Sequence, residues 1–96
     1  MSKFTIYEDG NNFINGFEAN DTPADVNTVS TEVERATIEI LEKHEEKSIK
    51  EKAFTIKLFG FDHHTGTKYR YRFYCVGIVY EDGTSKSYRV KGEYEN

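Results

Sequence analysis

From Ala53 to Glu95 the side chains alternate with a period of two, and two turn signals divide the stretch into three strands. His63-His64-Thr65-Gly66 reads as the first loop, and Asp82-Gly83 reads as a hairpin turn. Each strand then has two faces, and residues paired across neighbouring strands share one. With Asp62 opposite Thr67 and Glu81 opposite Thr84, one face collects Phe54, Ile56, Leu58, Tyr69, Tyr71, Phe73, Cys75, Val79, Tyr88 and Val90. That face is expected to be the core. The opposite face carries Lys57, Phe59, Phe61, Lys68, Arg70, Arg72, Tyr74, Arg89 and Lys91, continued in apolar form by Val76, Ile78 and Tyr80.

The first half supplies a helix for the apolar face. Lys3 to Glu8 and Asn11 to Phe17 read as a short hairpin around Asp9-Gly10, with Asn15-Gly16 as a competing turn. Thr22-Pro23-Ala24-Asp25 has the chemistry of a helix start, and Thr31 with Glu34 offers a later one as a capping box. Val26, Val29, Val33, Ala36, Ile40 and Leu41 recur at helical spacing and form one apolar stripe. The expected fold is α+β in the order ββαβββ: an antiparallel sheet of four or five strands, with one amphipathic helix packed on its apolar face.

A chain of 96 residues has room for one domain with one core. Hydrophobic residues make up only 36%, and seven Tyr and seven Phe supply much of the area to bury. A single cysteine gives no disulfide framework, and Met1 to Asp9 carry no long apolar run, so the expected compartment is the cytoplasm, without membrane insertion. Cys75 is expected to pack as a small hydrophobe. Charge is divided by halves: residues 1–48 hold four Lys/Arg against eleven Asp/Glu, and residues 49–96 hold nine against six.

Two surfaces follow. Cations beside aromatics on Lys57, Phe59, Phe61, Lys68, Arg70, Arg72, Tyr74, Arg89 and Lys91 suit single-stranded nucleic acid, where phosphates meet cations and bases stack on rings. The same residue types make hot spots for a protein partner. Read simply as solvent-facing, the long cationic stems cover the rings. The last strand, Ser85 to Glu95, is also expected as a sheet edge, which would allow an edge-strand dimer. The second surface is the acidic side of the helix, Glu32, Glu34, Glu39, Glu42, Glu45 and Glu46, which would imitate a phosphate backbone in the basic groove of a nucleic-acid enzyme. As an ordinary helix exterior it needs no such role.

The expected function is therefore non-enzymatic binding, through the sheet face or, alternatively, as a small inhibitor presenting the helix. Asp62-His63-His64 is the one sequence cluster with metal-ligand residue types, and neighbours in extended chain point apart, so no metal or cofactor is expected. His44 lies at the far end of the helix. No phosphate loop or nucleophile elbow occurs.

Overall fold

The computed structural model describes residues 2–8, 11–20, 29–61 and 69–95, and the side chains of all of these but 57–61, 69, 70 and 95. The elements run β1 (Ser2–Glu8), β2 (Asn12–Ala19), α1 (Thr31–Glu45), β3 (Ile49–Phe61), β4 (Tyr69–Tyr80) and β5 (Ser85–Glu95). The strands form one antiparallel sheet in the order β2-β1-β5-β4-β3. The expected ββαβββ architecture is present. β5 is not the edge the sequence suggested, because the N-terminal hairpin joins the sheet through β1 and encloses it. Residues of that hairpin therefore widen the sheet rather than lie over either face. Among the described residues no helix is long and apolar enough to cross a membrane.

The helix uses the later of its two starts. Ser30 is the cap: its backbone is extended and its Oγ accepts the Val33 N–H at 3.2 Å. Thr31 is thus the first helical residue rather than the cap, and Glu34 turns to Lys52 at 3.8 Å instead of closing a box. The earlier start at Thr22 to Asp25 lies outside the described residues, as do Val26 and the Asp9-Gly10 turn. Asn15-Gly16 stays within β2, where the Asn15 Oδ1 accepts the Gly16 N–H at 2.8 Å. Val33, Thr37 and Leu41, four residues apart, are the buried stripe of α1, with Val29 and Ile40 at its margin.

On β4 the side that faces the core is the opposite of the expected one. Tyr80 donates its N–H to Thr84 O at 2.8 Å and accepts from the Gly83 N–H at 2.9 Å, so the last hairpin loop is Glu81-Asp82-Gly83 rather than Asp82-Gly83 alone. Gly83 takes the left-handed backbone (φ 88°) that closes a three-residue loop. Asp82 accepts the Thr84 hydroxyl at 2.6 Å and its N–H at 3.0 Å, and lies 3.0 Å from Lys47. These contacts hold its carboxyl at about 2. One extra loop residue shifts the register by one and moves every β5 side chain to the other face relative to β4. Val76 now faces Tyr88 and Tyr74 faces Val90, where the shorter turn would have set them against Arg89 and Lys91.

A register shift between Ile56 and Leu58 does the same for β3: Phe54 faces Val76 and Ile56 faces Tyr74, whereas Phe59 faces Arg72 beyond the bulge. Phe54, Ile56, Tyr88 and Val90 are core-facing as expected. Tyr71, Phe73, Cys75 and Val79 are not, and Tyr74, Val76, Ile78 and Tyr80 replace them. With Phe4, Ile6, Ala19, Val33, Leu41 and Tyr94 these make a single cluster that α1 shares with the sheet.

Candidate functional site

Strand alternation places every second residue of β1, β5 and β4 on the face that carries no helix. Across it run the rows Tyr7–Arg89–Cys75, Thr5–Lys91–Phe73 and Lys3–Glu93–Tyr71. Phe13 joins from β2 opposite Tyr7. The Arg89 guanidinium carbon sits 5.3 Å from the ring centres of both Tyr7 and Phe73, and Lys91 Nζ sits 5.8 Å from that of Phe73. Tyr71 meets Phe73 edge-on at 5.9 Å, and Phe13 meets Tyr7 edge-on at 6.5 Å. Arg89 Nη2 also donates to Asn11 Oδ1 at 3.3 Å. The result is one patch spanning four strands, with its cations already held against rings. Phe13 is 64% exposed. Cys75 is exposed next to Arg89 rather than packed in the core, and a Cβ on Gly77 would meet nothing within 4 Å.

Of the residues expected to bind, Arg89 and Lys91 belong to this open face. Arg72 and Tyr74 do not: both are fully buried. Arg72 Nε donates to Tyr94 Oη at 3.1 Å, its guanidinium carbon lies 4.9 Å from the Tyr94 ring centre, and Tyr74 Oη meets Tyr94 Oη at 3.1 Å. The side chains of Lys57, Phe59, Phe61 and Arg70, and all of Lys68, His63 and His64, lie outside the described residues. Sequence reasoning missed Tyr7, Phe13, Tyr71 and Phe73. The signal that finds two of the four is Gly83: a glycine at the third loop position favours the three-residue hairpin that turns Tyr71 and Phe73 outward and aligns them with Arg89.

The acidic side of α1 is largely engaged in holding the fold. Glu32 accepts the Asn20 N–H at 3.1 Å, Glu42 accepts the Ile49 N–H at 2.8 Å, and Glu34 approaches Lys52. Glu39 and Glu46 remain exposed, interleaved with exposed Arg35 and Lys43. They line a shallow hollow of about 470 Å³ with Glu42, Lys43, Lys47 and Ser48.

The C-terminal turn of α1 is tied to the sheet through one ammonium. Lys86 Nζ lies 2.6 Å from Glu45 Oε1 and 2.8 Å from Glu8 Oε1, and His44 Nε2 lies 3.6 Å from Glu8. Tyr88 donates to Glu45 at 3.2 Å and shares a 2.7 Å hydrogen bond with Tyr80. Glu8, His44 and Glu45 bring ligand atoms within 4.8 Å of one another, the spacing of a cation site, but the Lys86 ammonium already bridges the two carboxylates. Its hydrogen bonds to Glu45 and Glu8 raise the Lys86 pKa, and burial and the Tyr80 hydroxyl raise that of Tyr88.

The hydrogen bond from Lys86 holds Glu45 below its ordinary value of 4.5 against the opposing effect of burial. A depressed carboxylate stabilises the fold above its unfolded value, so this contribution is complete above pH 4.5 and fades as pH falls through the folded value. Glu45→Gln is expected to lower the melting temperature at pH 7 by about 4 °C and to flatten the acid loss below pH 4.5. Melting curves of both proteins across that window check it; parallel acid slopes would remove Glu45 from the linkage.

Comparison with protein-family models, with curated proteins and with solved structures gives no match for this chain.

Proposed function

We propose that the chain is a non-enzymatic binding protein whose partner is another protein, docked on the open sheet face at Tyr7, Phe13, Phe73, Arg89 and Lys91. The observation that carries this reading is the patch itself: two cations stacked against the half-buried rings of Tyr7 and Phe73, with exposed Phe13 against Tyr7, on a face that no described element covers. Aromatic and arginine side chains prearranged in this way lose little freedom when a partner covers them.

Charge balance favours a protein over single-stranded nucleic acid. Among the described side chains the face sets Lys3, Arg89 and Lys91 against Glu18, Glu51 and Glu93. A phosphate backbone calls for a cationic surplus. An inhibitor presenting the acidic helix draws less support, because Glu32, Glu42 and Glu45 are hydrogen-bonded within the fold.

The test is capture of partners from a lysate of the source cells by tagged full-length chain, with and without nuclease. The Phe73→Ala/Arg89→Glu variant, checked for native circular dichroism, is expected to weaken capture by at least ~30-fold, the effect of losing about 2 kcal/mol of hot-spot energy. Undiminished capture by that variant would refute the open face. Capture abolished by nuclease, or salt-sensitive binding of a single-stranded oligonucleotide, would replace the protein partner by nucleic acid.

A further inference from the structure

The two edges of the sheet are defended very differently. On β3, Lys50, Glu51 and Lys52 are exposed, and the register breaks twice, between Ile49 and Glu51 and between Ile56 and Leu58. Charges and irregularities of this kind obstruct edge-to-edge pairing. On β2, Asn12–Ala19 holds one charge, Glu18, with no lysine and no proline, and among the described residues nothing pairs with its outer edge.

The pattern of faces along β2 is its own mirror. Asn12, Asn15 and Phe17 pair with Glu8, Ile6 and Phe4 on the helix side, and Ile14 packs against the core. Phe13 and Gly16 pair with Tyr7 and Thr5 on the open side. The register shift opposite Ile6/Tyr7 makes Ile14 and Asn15 consecutive residues of one side, so the order of sides reads the same in both directions from the Ile14–Asn15 bond. A regular strand, whose sides alternate strictly, has such symmetry about a residue; here the bulge centres it on a bond.

We propose that β2 is a dimerisation edge whose occupant is β2 of a second copy of this chain, antiparallel, with the twofold axis between the two strands, midway between their Ile14–Asn15 bonds. In this register each exposed Phe13 lies across from the other copy's exposed Gly16 on the open side. Its ring covers bare strand backbone, the pairing by which an aromatic compensates an edge glycine. Asn12 meets Phe17 on the helix side, and Glu18 lies across from Asn11, so no like charges oppose. The axis stands perpendicular to the sheet. Both helices therefore share one face, both aromatic patches share the other, and the contact is isologous and closed.

This dimer goes beyond the partner-binding reading and is tested without any partner. Sedimentation velocity of the purified full chain over a concentration series is expected to show a monomer–dimer equilibrium. Asn15→Lys sets two ammonium groups at the axis, and Phe13→Lys removes the covering ring; each is expected to abolish the dimer, whereas Lys52→Ala on β3 leaves it intact. Hydrogen exchange of the wild-type chain provides a readout that needs no variant: β2 amides gain protection as concentration rises. A wild-type chain monomeric at every concentration, a dimer that survives both lysine substitutions, or β2 protection independent of concentration would each overturn the proposal.

Discussion

Arg72→Ala is expected to lower the unfolding free energy by about 3 kcal/mol, the cost of emptying a large buried site. Arg72 is fully buried, its stem runs through the core face of β4, and its guanidinium rests on the Tyr74 and Tyr94 rings while donating to Tyr94 Oη. Truncation leaves a cavity and removes a charge-assisted donor from a buried hydroxyl. The two tyrosine hydroxyls still satisfy each other. Arg72→Met, which keeps most of the stem without the charge, is therefore expected to recover more than half of the loss. Urea denaturation of the three proteins at constant m-value checks both statements. A loss for Arg72→Ala below about 0.5 kcal/mol, the range of surface substitutions, would show that the side chain reaches water. Charge reversal at Arg72 consequently tests folding, not binding.

Gly92→Val is expected to destabilise by up to about 3 kcal/mol through overpacking. Gly92 lies between Arg72 on β4 and Phe4 on β1. A Cβ there would fall 2.7 Å from Phe4 Cε1 and 2.8 Å from Tyr94 Oη. The missing side chain makes the room in which the Phe4 ring meets Tyr94 edge-on at 5.8 Å and stacks on Phe17 at 5.2 Å. Gly77 supplies the contrast: it sits on the open face with empty space around it, and Gly77→Ala is expected to change stability by less than about 0.5 kcal/mol. Equal effects at the two glycines would mean that backbone propensity, rather than packing, sets the cost at Gly92.

Both predictions concern residues whose surroundings depend on register. Alternation from Ala53 onward was sufficient to mark three strands with two chemically distinct sides, because period-two patterning is a local property of extended chain. The stripe of α1 was legible for the same reason at period 3.6, although Thr37 entered it in place of Ala36. Arg89 and Lys91 were recognisable as a cationic pair on one side of β5, and they remain together on the open face.

Which side of each strand turns inward was decided by features that alternation does not encode. A third residue in the Glu81–Gly83 loop and a bulge at Lys57 each invert side-chain parity. Their combined effect carried Arg72 and Tyr74 into the core and brought Phe73 and Tyr71 out to join Arg89. Likewise, the contribution of Tyr7 and Phe13 depends on β1 pairing with β5, a contact between residues such as Tyr7 and Arg89, far apart in the chain, that no local pattern specifies. Periodicity alone marks the strands, the helix and the chemistry available on each side. Which side meets water is set by pairing across the fold, because one residue of register reverses the answer while leaving every local preference unchanged.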